Sequence, residues 1–264
     1  MCIFLASRLH PDYALVILSN RDEYIERETQ SAHWWPDGIY APKDLKRGGT
    51  WMGVSDTGRL AVLVNFHEKQ PIGELSRGLL PVSYLTSEMS ATDWANDTRS
   101  LHADALKLAG GFMMMFGDIT PANGEIQPLE LLSNRQPPEV LLGDDCPVLC
   151  MSNGPLSDKS WEKTETLARV FEPLLSLHGD EFIKQCFKLL STTCVADTLT
   201  IEDIRKTVFV PRCQLPSGPY ATRTQTIVLV DRKGQVTYME KTLGPEAGDP
   251  DAQVEPVVEQ FNIK

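Results

Sequence analysis

The chain has 264 residues, of which 42% are hydrophobic, and its formal net charge is −11 at pH 7. This length and composition allow one large hydrophobic core or two smaller ones. The negative charge argues against a nucleic-acid partner. No apolar run reaches the length of a membrane helix, and we expect no cleavable apolar leader, since the first residues lack a basic region followed by an apolar segment.

Two short apolar runs at the start of the chain predict an antiparallel hairpin. Residues 2–6 and 13–18 are rich in strand-forming side chains, and turn residues around Pro11 separate them. A hairpin centred there pairs positions whose numbers sum to about 22, so Cys2 should lie beside Asn20. The Arg-Asp pair that follows Asn20 should then lie just past the strand end, close to the cysteine.

Cys2 is a candidate nucleophile because of its place in the chain. We expect Met1 to be removed, since the residue after it is small, which would leave a cysteine with both a thiol and a free α-amine. An α-amine titrates near pH 8 and can act as a base beside the thiol. Arg21 could favour the thiolate, and Asp22 could bind or orient the amine. The alternative is a solvated Arg–Asp pair in a turn next to an ordinary cysteine.

The remaining elements alternate between groups of strands and helical stretches. In chain order we predict strands at 52–54 and 60–64, helix within 77–109, strands at 112–116, 126–132, 139–142 and 148–152, helix within 160–190, and strands at 224–230, 235–240 and 257–261. Such an order favours two packed sheets with helices outside, a layered α+β domain. We expect a single domain over residues 1–264, with a loose acidic segment rich in Pro and Gly at about 244–253.

The six cysteines are spread along the chain, unlike the dense framework of a small secreted domain. We therefore expect a reducing compartment, with the cytosol as the default. Cys146 and Cys150 are close in sequence, but no second cysteine or histidine pair accompanies them, so we expect no zinc site.

Three polar residues lie where apolar strands end or begin. Asn65 follows residues 60–64, Asn153 follows residues 148–152, and Arg223 comes shortly before the apolar run that starts at Ile227. Amides at strand ends can donate hydrogen bonds to a developing oxyanion, and an arginine can fix an anionic group. Asn is also a common turn residue, and each residue taken singly has that simpler explanation.

Taken together, these motifs resemble those of the transport and Golgi organisation 2 family, also called the NRDE family. The resemblance runs nearly end to end, and the matching segments are Met1-Cys2-Ile3, Asn20-Arg21-Asp22-Glu23, Gly48-Gly49-Thr50-Trp51-Met52-Gly53, Leu60-Ala61-Val62 with Asn65, Ser152-Asn153 with Trp161, and Thr222-Arg223-Thr224-Gln225-Thr226-Ile227. That family in turn resembles the N-terminal-nucleophile (Ntn) hydrolases of the choloylglycine and penicillin acylase type. The resemblance implies a four-layer αββα sandwich of two antiparallel sheets.

The same resemblance implies roles for individual residues. In Ntn hydrolases of this type a terminal cysteine attacks an amide, an Arg and an Asp flank it, two Asn residues line the oxyanion site and a late Arg completes it. Carried over, these roles fall to Cys2, Arg21, Asp22, Asn65, Asn153 and Arg223.

Two hypotheses of function follow. The preferred one, implied by the resemblance, is a carrier of a hydrophobic small molecule, with haem the leading candidate and lipid or acyl-CoA also considered. It would support Golgi and mitochondrial organisation from the cytoplasm or in association with those organelles. The candidate iron ligands are His10, His33, His67 and Cys2, and Met113–Met115 could pack against a porphyrin. The alternative is a cysteine-dependent amidohydrolase or acyl-thioester hydrolase, which needs no cofactor.

Overall fold

The computed structural model describes residues 1–68, 75–137, 139–193 and 199–264. Its strands, in chain order, are β1 Ile3–Ser7, β2 Tyr13–Tyr24, β3 Thr29–Trp34, β4 Ile39–Asp44, β5 Met52–Ser55, β6 Arg59–Asn65, β7 Phe112–Asp118, β8 Leu129–Ser133, β9 Glu139–Leu142, β10 Val148–Met151, β11 Cys213–Leu215, β12 Gly218–Asp231, β13 Gln235–Thr242 and β14 Val257–Asn262. The helices are α1 Leu79–Leu85, α2 Ala91–Leu101, α3 Ala103–Leu108, α4 Glu162–Phe171, α5 Gly179–Leu190 and α6 Ile201–Ile204. Among the described residues, no helix has the length and apolar character needed to cross a membrane.

The strands form two antiparallel sheets of seven strands each. The first sheet has the order β10-β1-β2-β12-β13-β14, with β11 paired to β12, and the second runs from β3 to β9 in chain order. The second sheet is a meander in which each strand pairs with the next. In the first sheet the ends of the chain meet, because β1 and β2 lie between strands from the middle and the last third of the sequence.

Alternating side chains divide the apolar residues into three main layers of core. Phe4 and Ile17 point into the space between the sheets, where they join Val62 and Met113 of the second sheet. Their neighbours along the first sheet point outward against α4 and α5, as Ile3 does. The outer face of the second sheet packs in the same way on α1 and α2. The predicted α+β sandwich of two sheets with helices outside is therefore confirmed.

The first hairpin forms as predicted, with a register one position different. Ile3 pairs with Asn20, so partner numbers sum to 23 rather than 22. The second strand continues to Tyr24, so Arg21 and Asp22 lie within β2 rather than past its end. They stay in the sheet because β12 pairs with this part of β2, which lies beyond the last pair formed with β1.

Several element boundaries differ from the prediction for local reasons. The helical stretch at 77–109 is three helices, and α2 begins at the N-cap Ser90, whose hydroxyl accepts from the backbone N–H of Asp93. The stretch at 160–190 is interrupted by a 3₁₀ turn that contains Pro173, since proline cannot donate within a helix. Strands β3, β4, β11 and helix α6 were not predicted, and β3 has a mostly polar sequence with little buried surface.

The acidic segment predicted to be loose at about 244–253 is packed at its start. Leu243 and Ala247 are buried against Phe209 and Ala221. The backbone N–H of Gly248 donates to the carbonyl oxygen of Thr222 at 3.0 Å. This contact places the chain after β13 against the part of β12 that pairs with Asp22 of β2.

Candidate active site

A cavity of about 750 Å³ lies where β1 begins, beside the last residues of β2. The ends of β6 and β10 also contribute to its wall. Five of the six predicted site residues line it, namely Cys2, Arg21, Asp22, Asn65 and Asn153. The fold thus brings together residues that are up to 151 positions apart in the sequence. Arg223 is the one predicted residue that lies outside the cavity wall.

Asp22 is the central polar group of the site, and its side chain has no solvent exposure. The Thr222 hydroxyl donates to Asp22 Oδ1 at 2.6 Å, and Tyr220 OH donates to the Asp22 backbone carbonyl at 2.8 Å. The α-amine of Met1 lies 3.6 Å from Oδ2, and Lys163 Nζ lies 3.5 Å from the same atom. One buried carboxylate therefore faces two amines, while strand β12 fixes its other oxygen.

Cys2 lies immediately before β1 and packs against the core between the sheets. Its thiol Sγ is 3.7 Å from the Asp22 carbonyl oxygen, and the Ser152 hydroxyl donates to the Cys2 carbonyl oxygen at 2.8 Å. With Met1 in place, burial raises the pKa of the Cys2 thiol. The terminal amine and Arg21 act in the opposite direction, but burial is the larger effect. The lowered thiol pKa expected from Arg21 is therefore not found in the chain that retains Met1.

Arg21 is a buried guanidinium stacked on an aromatic ring. Its Cζ lies 4.1 Å from the ring centroid of Trp51, which belongs to the Gly-Gly-Thr-Trp segment singled out in the sequence. Its Nη2 donates to Glu23 at 3.4 Å, so part of its charge is offset by that carboxylate. Its Nη1 is buried and has no hydrogen-bond partner among the described residues, so the site holds a donor that a ligand could use.

The two asparagines join the ends of the two sheets. Asn153 Nδ2 donates to the backbone carbonyl oxygen of Asn65 at 2.5 Å, and the backbone N–H of His67 donates to the Asn153 carbonyl at 2.7 Å. Asn153 is buried, whereas Asn65 is exposed to the cavity. A side-chain amide carries two N–H donors, so each residue keeps at least one N–H that the Asn153–Asn65 bond does not use.

Arg223 supports the site from outside the cavity. The pairing of β2 with β12 shifts register between Thr222 and Thr224, and Arg223 is the extra residue at this bulge. Its Nη1 donates to the carbonyl oxygens of Tyr24 and Arg27, at 3.1 and 2.5 Å. Both of those residues line the cavity, so Arg223 holds the chain that forms one side of its wall.

Comparison with known proteins identifies the family of this chain. The family model described as Transport and Golgi organisation 2 matches residues 1–245. The chain belongs to that family. An uncharacterized protein of Saccharomyces cerevisiae is 30% identical over 92% of both chains, and the Transport and Golgi organization 2 homolog of Mus musculus is 26% identical over 88% of this chain and 87% of its own.

The fold of this chain is similar to that of a solved structure. The penicillin V acylase from Agrobacterium tumefaciens matches 100% of this chain and 86% of its own, with a TM-score of 0.56 and 12% sequence identity. The two packed sheets with outer helices therefore have the same fold as that acylase. At this level of identity the match concerns the fold alone.

The histidines and methionines considered as haem contacts are scattered over the structure of this family member. His67 lines the cavity together with Cys2. His10 packs against Phe182, with ring centroids 4.3 Å apart, and His33 stacks on Trp35 at 6.1 Å. Residues Met113–Met115 are fully buried in the two cores on either side of β7.

Lys163 is the main site residue that the sequence analysis missed. Its side chain has no solvent exposure, and its Nζ contacts both Asp22 and the Met1 carbonyl oxygen. A signal was present, because Lys163, Leu167 and Phe171 recur every four residues and so share one face of α4. A lysine on the buried stripe of an amphipathic helix is unusual unless it is paired.

Proposed function

We propose that this protein is a cysteine-dependent Ntn hydrolase that cleaves an amide or thioester bond, with Cys2 as the nucleophile. The observation that carries the proposal is the single cavity that contains Cys2, Arg21, Asp22, Asn65 and Asn153. These residues combine a nucleophile, a carboxylate beside an amine, and amide donors, which is what acyl transfer requires. The similarity of fold to an acylase supports the proposal, while the site residues carry it.

The proposed reaction begins once removal of Met1 has exposed the α-amine of Cys2. The amine takes the thiol proton, and Sγ adds to the carbonyl carbon of the substrate. The amides of Asn65 and Asn153 are the candidate donors to the oxyanion that forms. The leaving amine or thiol departs with the proton held by the α-amine, and water then hydrolyses the thioester on Cys2 to release a carboxylic acid.

The experiment is a turnover assay on a panel of acyl amides and acyl thioesters, using protein whose N-terminus is Cys2. Cys2→Ser should abolish turnover. Cys146→Ser is the matched control, because Cys146 is exposed and lies outside the cavity wall. Equal turnover by wild type and Cys2→Ser would rule out the proposed nucleophile.

Carriage of a hydrophobic small molecule, such as haem, a lipid or an acyl-CoA, is the second candidate. Two observations favour it: the cavity has a volume of about 750 Å³, and His67 and Cys2 both line it. A role in Golgi and mitochondrial organisation, from the cytoplasm or at those organelles, would follow from such carriage. Haem titration of wild type beside Cys2→Ala and His67→Ala tests this candidate, since either substitution should shift the Soret band if that residue ligates iron. Identical spectra for all three proteins would exclude Cys2 and His67 as ligands of haem iron.

A further inference from the structure

Lys163 is fully buried, and the reaction proposed above makes no use of it. Its Nζ lies 3.5 Å from Asp22 Oδ2 and donates to the Met1 carbonyl oxygen at 2.5 Å. It also belongs to the first turn of α4, where the helix dipole disfavours a cation. Burial and helix position both make this lysine costly for the fold, so an explanation has to come from the groups that it faces.

One reacting group close to Lys163 is the nitrogen of Cys2. The oxygen and nitrogen of one peptide unit are about 2.3 Å apart, so Lys163 Nζ lies within about 5 Å of that nitrogen. Removal of Met1 would turn this nitrogen into the α-amine and would remove the carbonyl oxygen that Nζ contacts. Lys163 and the new amine would then share Asp22, a single buried carboxylate.

We propose that Lys163 is a positioning residue for the nucleophile. Its ammonium group pairs with Asp22 and so keeps the α-amine of processed Cys2 uncharged, which lets the amine accept the proton of the thiol. The transfer produces a thiolate and an ammonium group and changes no oxidation state. This inference rests on the proposed hydrolase function and adds the group that controls its base.

The electrostatic effects in the chain that retains Met1 agree with this assignment. Burial is the largest cause of the lowered pKa of the Met1 amine, while Asp22 acts to raise that pKa and Lys163 acts to lower it. The other charged or titratable groups around the amine are Arg21 and Glu23 from β2, His67 after β6, Cys213 from β11 and the Cys2 thiol itself. Glu23 favours the charged amine, but its carboxylate already pairs with Arg21 and Arg27.

The test is the rate of Cys2 alkylation by iodoacetamide as a function of pH, with the labelled residue identified by mass. Lys163→Met removes a positive charge about 5 Å from the amine, so the midpoint of the rate profile should rise by roughly one to two pH units. Lys163→Arg should keep a midpoint close to wild type because it keeps the charge. Lys159→Met is the matched control, because this nearby lysine is 80% exposed and should leave the profile unchanged.

A wild-type midpoint in folded Lys163→Met would overturn the proposal, as would a lower one. A second measurement needs no variant. NMR titration of ¹⁵N-cysteine-labelled wild type should show that the Cys2 α-amine is uncharged at pH 7, because its pKa lies below the ordinary α-amine range of about 7.7–8.0. An amine that stays protonated through pH 8 would overturn the proposal even if no Lys163 variant folds. Failure of the hydrolase function is separable, because it would appear as an absence of Cys2-dependent turnover of acyl amides and thioesters, whatever the alkylation profiles show.

Discussion

Replacement of Asp22 by asparagine should destabilise the folded protein. The asparagine keeps a carbonyl oxygen that can accept from Thr222, so the main loss is the negative charge beside Lys163. Removing one partner of a buried ion pair costs about 3–5 kcal/mol. An independent bound gives a similar value, since neutralising a lysine with an ordinary pKa near 10.4 costs about 5 kcal/mol at pH 7. We therefore expect Asp22→Asn to lower the free energy of unfolding by about 3–5 kcal/mol at pH 7.

The pH dependence of that loss has a definite sign. Burial lowers the pKa of Lys163 in the folded protein. Asp22 opposes that effect, so its removal in Asp22→Asn should lower the pKa of Lys163 further. The penalty is full below the folded pKa of the variant, and it shrinks as pH rises towards the ordinary lysine value, where the unfolded chain also loses its proton. Stability of the variant relative to wild type should increase from neutral to alkaline pH.

Urea denaturation followed by tryptophan fluorescence at several pH values measures both effects. Asp22→Asn with Lys163→Met should recover most of the loss, because no unpaired charge then remains buried. Asp104→Asn is the control, since it breaks an exposed ion pair with Lys107 and should leave the free energy of unfolding nearly unchanged. If Asp22→Asn cost less than 1 kcal/mol at pH 7 with no change at higher pH, Asp22 and Lys163 would not form the coupled buried pair described above.

Three further outcomes are expected. Intact mass of the native protein should show a chain that starts at Cys2, and a retained or acetylated Met1 would remove the terminal amine from the mechanism. Asn65→Ala should slow acyl turnover by roughly 10²–10³-fold as a lost oxyanion donor, and an unchanged kcat would assign the oxyanion contact elsewhere. Burial raises the pKa of Glu240, so the contribution of this residue to stability should fall as pH rises above the ordinary glutamate pKa near 4.3. Glu240→Gln should therefore flatten the pH dependence of the urea midpoint between pH 4 and 8. The same pH dependence in the variant and in wild type would contradict this.

Much of the framework could be predicted from local patterns in the sequence. The alternating apolar residues of the first hairpin and of β6, β7 and β13 determine which faces are buried, and the turn residues between them mark the connections. Asn65 and Asn153, singled out because each follows an apolar strand, both line the cavity. The predicted hairpin placed Arg21 and Asp22 close to Cys2, and all three residues line the same cavity.

Other features depend on tertiary contacts that no local pattern specifies. The bulge that places Arg223 outside the cavity arises in the pairing of β2 with β12, which joins residues about 200 positions apart. Lys163 reaches the site only because α4 packs on the outer face of the first sheet, next to the start of β1. Strand β3 is polar and is defined by its pairing with β4, so its sequence carries no apolar alternation.

The measurement that tests the central claim most directly is intact mass of the Cys2-terminated protein after brief incubation with activated acyl amides and thioesters. The account predicts a mass increase equal to one acyl group, located on Cys2, that disappears as the thioester hydrolyses. The adduct should be absent in Cys2→Ser and present in Cys146→Ser. Folded wild-type protein that forms no adduct on Cys2 with any acyl donor, or one that labels Cys2 and Cys146 equally, would contradict the assignment of Cys2 as an N-terminal nucleophile.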